Sequence, residues 1–305
     1  MMSQLHRNVF YNIIGVAVTT TLTIIATPFQ IKILGIESFG IIGFITTLQV
    51  ALSALDLGLS SIIAREIAAD HSRNKQDSSD LIKSAHLIYW LISVTLAVVI
   101  YINAGSFARN WFNPEDINPV ELQQVLQIIA VFLALRWPIA FYTGILIGMQ
   151  RLATLNIAKV LVTAIRLSVG IAVLLIWRTL EAYLYWLVIS AFLETIFYVV
   201  LTYWRHPALP RLPGFSMPAV RRVWKFSLTM NLLAILGIAL AQMDRFAVSL
   251  LLPLKELGHY NVAVTAASLL SLTITSMSSA TMPQFASAAK SQTVATLASQ
   301  YLATE

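Results

Sequence analysis

LNIAKVLVTAIRLSVGIAVLLIW, residues 155–177, is an almost wholly apolar run that carries an arginine, Arg166, near its middle. As an α-helix rising about 1.5 Å per residue, it is long enough to cross the roughly 30 Å hydrocarbon core of a bilayer. Comparable runs occupy 10–31, 39–62, 84–103, 122–148, 183–203, 226–252 and 258–281, and a ninth begins near Thr293. The sequence therefore predicts an all-α, polytopic transmembrane bundle of about eight to nine helices. The longest connections, 63–83, 104–121 and 204–225, are too short to hold a catalytic domain.

Composition supports the same fold class. Of 305 residues, 58% are hydrophobic and 11% charged, with a mean hydropathy of +0.76, whereas soluble domains carry about 25% charged residues. A water-soluble fold could not hide this much apolar surface, so lipid is the solvent for most of the chain. The absence of cysteine excludes disulfides, thiolate zinc sites and cysteine nucleophiles. The net charge of +6 reflects basic residues clustered in short loops, a signature of membrane orientation rather than of nucleic-acid binding. Thirteen lysines and arginines fall in loops on the side of the N-terminus. Only Lys32, Arg109, Arg178 and Lys255 fall on the other, so the N-terminus is expected in the cytoplasm. Met1 to Asn8 lacks a small-residue cleavage site, and the first run reads as a span, not a removable leader.

Aromatic and small residues mark helix edges and contacts. Trp177 with Trp186, and Trp204 with Trp224, flank two turns and are expected at headgroup depth. Pro28 and Pro138 interrupt spans and are expected to kink or hinge them, each removing a backbone hydrogen bond. Gly144 and Gly148 form a small-xxx-small pair. The five histidines (His6, His71, His86, His206 and His259) are expected at interfaces or in water.

Six ionisable residues lie inside the spans: Arg136, Arg166, Arg245, Asp56, Glu194 and Asp244. Three arginines facing lipid would cost on the order of 8–10 kcal/mol, comparable to the whole stability of a protein. They must face one another, a partner or a watered cavity. Two readings stand. One is internal pairing, for instance Arg166 with Glu194. The other is a cationic cavity floor, since Arg136 and Arg166 share one depth and a guanidinium fork matches phosphate oxygens. Asp244 offers a proton or sodium coupling site, although its neighbour Arg245 would hold it ionised.

No GxxxxGK[ST], HExxH or GxSxG motif is present, and Asp77-Ser78-Ser79-Asp80 reads as a solvated loop rather than a metal site. Three stretches carry a resemblance. They are NVFYNIIGVAVTTTLTIIATPFQIKILGIESFG (8–40), LDLGLSSIIAREIA (55–68) and QMDRFAVSLLLPLKELGHYNVA (242–263). Together they resemble the polysaccharide-biosynthesis, O-antigen flippase (Wzx-type) branch of the multidrug/oligosaccharidyl-lipid/polysaccharide exporter superfamily. The turn Leu34 to Gly40 recurs loosely at Leu254 to Gly258, as if each opened a bundle.

The resemblance implies a six-helix transmembrane bundle over 1–222 and the start of a second, truncated one over 223–305. It implies a transporter, not an enzyme, with no cofactor, metal or nucleic acid. The expected cargo is an undecaprenyl-pyrophosphate-linked oligosaccharide, moved from the inner to the outer leaflet of the bacterial inner membrane. Membrane lipids and other polysaccharide assembly proteins are the implied partners. Arg136, Arg166 and Arg245 are expected to hold substrate, and Asp56, Glu194 and Asp244 to pair with them between states. The alternatives are a drug or organic-cation exporter of the same superfamily, whose cavity should be acidic, and a membrane glycosyltransferase or polymerase, which should carry a long catalytic loop.

Overall fold

The structure, a computed structural model, describes residues 4–56, 58–69, 75–205 and 214–268. Its regular elements are helices: α1 (Gln4–Leu34), α2 (Ile36–Ser53), a 3-10 turn (Ala54–Asp56), α3 (Leu59–Ala69), α4 (Lys75–Asn110) and α5 (Pro119–Arg136). After these come α6 (Ile139–Gly148), α7 (Leu152–Trp177), α8 (Leu180–Arg205) and α9 (Met217–Leu251). A last described helix, α10, covers 254–268. The chain is a multi-pass membrane protein. Six stretches are long and apolar enough to cross a bilayer: Ile14–Leu34, Ile36–Ser53, Ser79–Asn110, Pro119–Gly148, Leu152–Trp177 and Leu180–Arg205. The rest of the eighth expected span and the ninth lie outside the described residues, as do His71, His206 and the rest of 206–213.

The outer surface confirms lipid as the solvent. On α4, Leu91, Val94, Val98 and Ile102 stand exposed at helical spacing, and on α7 Ile157, Leu161 and Ile165 do the same. In water such stripes would aggregate; against acyl chains they cost nothing.

Two spans differ from their reading in sequence. The run 39–62 is two helices, α2 and α3, separated by the 3-10 turn and by Gly58 in the left-handed region at φ 70°. The run 122–148 breaks into α5 and α6 at Trp137-Pro138. Neither break disturbs the hydropathy, so the first was concealed in a continuous apolar run, while the second falls at the proline expected to interrupt its span. Pro28, by contrast, sits within an uninterrupted α1, exposed on its surface.

Small residues set two close seams. A Cβ on Gly144 or Gly148 would lie 2.8 Å and 2.5 Å from the backbone oxygens of Ser60 and Ala64, so the glycine pair is where α6 meets α3. At the other seam a Cβ on Gly258 would collide with the Ile36 oxygen, and one on Gly40 would come within 2.7 Å of the Leu254 oxygen. The two echoing segments thus pack on each other, α2 against α10. Around them Leu254 N–H donates to Asn113 (3.0 Å), Trp111 to Ser249 (3.1 Å), and the Glu37 carboxylate accepts from the N–H groups of Glu115 and Asp116 (2.9 and 2.7 Å). These bonds tie α2, the segment 111–116 and the junction of α9 and α10 together.

Two side chains depart from the interfacial expectation. Trp186 donates its indole N–H to the Arg166 carbonyl at 2.9 Å, well inside the bundle. His86 stacks on Phe141 at 5.1 Å, with Tyr142 Oη 3.4 Å from its Nε2. Trp177 and Trp204 are exposed at helix ends, as expected, with Arg205 over the Trp204 ring at 4.4 Å.

Candidate functional site

The break at Pro138 positions the first arginine. Proline has no N–H for the Ala134 carbonyl, and the disturbed turn also frees that of Leu135. Ser93 on α4 donates to the first and Thr195 on α8 to the second, each at 2.5 Å. These bonds tie the end of α5 to both neighbours and fix where Arg136, its last residue, leaves the helix. An unsatisfied buried carbonyl costs about 1–3 kcal/mol. Thr195→Val should therefore lower thermal stability in detergent by that order, and Thr195→Ser should restore it; equal stability of the two would contradict the capping role.

Thr195 follows Glu194, and Glu194 is the centre of the site. It is buried, with a side chain 6% exposed, and its two oxygens face two different arginines: Oε1 to Arg136 Nη2 and Oε2 to Arg166 Nη1, both at 3.2 Å. Arg136 Nη1 also donates to Gln49 Oε1 at 2.9 Å. The chain Gln49–Arg136–Glu194–Arg166 therefore crosses the interior from α2 through α5 and α8 to α7. It makes the internal pair of Arg166 with Glu194 part of a bridge, and leaves that bridge with one positive charge in excess.

The bridge divides a cavity. The larger chamber, about 540 Å³, includes Gln49, Asp56, Arg136, Lys159, Glu194 and Tyr198 in its lining. The smaller, about 290 Å³, includes Thr27, Gln49, Arg136, Arg166, Tyr183 and Arg245. Of the six ionisable residues expected in a site, five therefore border this interior. Asp244 does not: it is exposed, accepts from Tyr260 Oη, and its Oδ1 takes the Arg245 backbone N–H at 2.8 Å. Consecutive residues lie about 100° apart on a helix and do not share a face. Arg245 turns inward instead and donates to Gln242 Oε1 at 3.1 Å. Asp56, at the end of the 3-10 turn, accepts from Tyr89 Oη and from Ser60 Oγ (2.7 Å) rather than from an arginine.

Several lining residues escaped the sequence reading. Lys159 reads as a loop cation but sits about two turns inside α7, facing the larger chamber. Thr19, Thr23, Thr27 and Gln30 line the two chambers from α1. Their spacing of four, four and three residues is a polar stripe that periodicity could have found.

Among the described residues no group of three or more histidine, cysteine, aspartate or glutamate side chains could hold a metal ion. The arrangement is a polar, net-positive interior inside an apolar shell, suited to binding an anion within the membrane.

Residues 5–289 match the polysaccharide biosynthesis protein family, and the chain belongs to that family. A curated relative from Shigella flexneri, named "Putative O-antigen transporter", is 22% identical over 255 residues. The match covers 84% of this chain and 60% of the relative, so the chain spans well under the relative's full length. No solved structure matches the chain.

Proposed function

We propose that this protein flips a lipid-linked oligosaccharide on undecaprenyl pyrophosphate from the inner to the outer leaflet of the bacterial inner membrane. The observation that carries the reading is the smaller chamber: Arg136, Arg166 and Arg245 line it, and no acidic side chain does among the described residues. Glu194, behind two of the three, offsets them in part. A buried excess of guanidinium charge is costly unless an anion enters, and pyrophosphate offers oxygens at the spacing of the fork. The family membership and the relative's name support a polysaccharide unit as cargo.

On this account the first bundle, residues 1–222, and the opening of a second, 223–305, rock about the cavity. The N-terminus lies in the cytoplasm, and the break at Pro138 serves as a hinge. Pro28 lacks such a break but keeps the potential to bend α1. Glu194 pairs with the arginines when substrate is absent; Asp56 and Asp244, bonded here to tyrosines, are available to do so in other states. A drug or organic-cation exporter fits less well, since a cation would enter against this charge. A glycosyltransferase or polymerase would place catalytic carboxylates beside a long loop.

The test is reconstitution of the full-length protein in vesicles with a lipid-linked oligosaccharide, using an enzyme that modifies only outward-facing sugars. Flipping should exceed that of empty vesicles. It should fall about tenfold or more in Arg245→Gln, because loss of a charge-assisted contact made to the moving anion costs about 1.5–3 kcal/mol. Arg245 holds Gln242, not a carboxylate, so folding should be unaffected. Flipping by Arg245→Gln at the wild-type rate would remove this residue from the site.

A further inference from the structure

The two chambers differ in charge, and we propose that the larger one is a separate subsite for the uncharged sugar portion of the cargo. This rests on the flippase reading above. The larger chamber is bordered by two acids, Asp56 and Glu194, and two bases, Arg136 and Lys159, so its ionisable lining is balanced. The smaller is bordered by three arginines and no acid among the described residues. An anion is drawn to the second, and the first is left for a neutral ligand.

The larger chamber's hydroxyls point to the ligand class. Thr19 donates its proton to the carbonyls of Gly15 and Val16, Ser53 to Val50, Thr143 to Ala140, and Ser60 to Asp56. With their protons committed, these oxygens present only lone pairs to the cavity. Asp56 adds a carboxylate acceptor. Donors come from Lys159 and Arg136, from the amide nitrogen of Gln49, whose oxygen is held by Arg136, and from the hydroxyls of Thr163 and Tyr198. A pyrophosphate would meet the two carboxylates, Asp56 and Glu194, in this wall. A polyol is well matched, because each sugar hydroxyl donates as well as accepts. The volume of about 540 Å³ lies in the range of pockets that enclose whole organic ligands. Since the chambers meet at Arg136 and Gln49, one molecule can lie across both, phosphate on one side of the bridge and sugar on the other.

Residues 1–305 contain no cysteine, so within them each introduced thiol reports alone, and the unsubstituted protein gives the background labelling. Thr163→Cys and Thr143→Cys place it in the larger chamber and Thr46→Cys in the smaller. The full-length protein is treated with a small maleimide alone, with undecaprenyl pyrophosphate, or with the sugar-bearing lipid from the source cells. At about ten times Kd, a covered thiol should react about tenfold more slowly, since only free protein is labelled. The expected result is that both lipids protect Thr46→Cys, and only the sugar-bearing one protects Thr163→Cys and Thr143→Cys. Equal protection of the larger chamber by the bare lipid pyrophosphate would overturn the sugar subsite and leave the flippase reading intact. So would protection of Thr46→Cys alone by the sugar-bearing lipid. Protection of none of the three by either lipid would overturn both.

Discussion

Glu194→Ala is expected to lose most of its folded protein. The substitution leaves Arg136 and Arg166 with their facing charge and no shared carboxylate, in side chains only 24% and 18% exposed. Breaking a buried pair by removing one partner typically costs about 3–5 kcal/mol, because the remaining charge is stranded away from water. Here one deletion strands two charges at once, on α5 and α7, so the cost belongs at the upper end of that range. Thermal unfolding in detergent, with the yield of monodisperse protein, measures it. Glu194→Gln should recover part of the loss, since its amide oxygen can still accept from one guanidinium. A Glu194→Ala variant as stable as the wild type would mean that the bridge does not hold α5, α7 and α8 together.

The second large effect is on substrate rather than on fold. Replacing Arg136 and Arg166 while keeping Glu194 confounds the two, because it buries an unpaired carboxylate. The triple variant Arg136→Gln, Arg166→Gln, Glu194→Gln removes the charges together and leaves amides that can bond to one another. Substituting all members of a buried ionic cluster by neutral groups is often tolerated. This variant should therefore fold, yet undecaprenyl pyrophosphate should no longer raise its melting temperature. A ligand at a hundredfold excess over Kd stabilises the wild type by about 2.7 kcal/mol, and that increment should vanish. Retention of the full shift would place the phosphate elsewhere. Failure of the triple variant to fold, with Arg245→Gln still flipping at the wild-type rate, would reduce the cluster to a structural role.

Most of the fold was legible because a bilayer imposes one requirement, length of apolar run, that a sequence displays directly. The breaks in the second and fourth spans were less so. Pro138 announced one, while the 3-10 turn at Ala54–Asp56 lies in an apolar stretch where only Gly58 hints at a change of direction. The site was legible in its parts. Arg136, Arg166 and Glu194 stood out because charge inside a span demands an explanation. That one carboxylate serves both arginines depends on α5, α7 and α8 meeting at a common depth, which is tertiary information. Asp244 and Arg245 illustrate a subtler limit: equal depth does not mean equal facing, and only the roll of α9 turns one inward and the other out. Lys159 was concealed by its nearness to the loop at Gln150-Arg151, where a lysine is expected for orientation alone.

The central claim is that guanidinium charge in a divided cavity carries a pyrophosphate-linked sugar across the membrane. The most direct measurement is the rate of flipping of the lipid-linked oligosaccharide in vesicles containing either the wild-type full-length protein or the folded triple glutamine variant. The account predicts rapid exposure of sugar at the outer face with the wild type and the rate of empty vesicles with the variant. Equal, protein-dependent flipping by the two would contradict it.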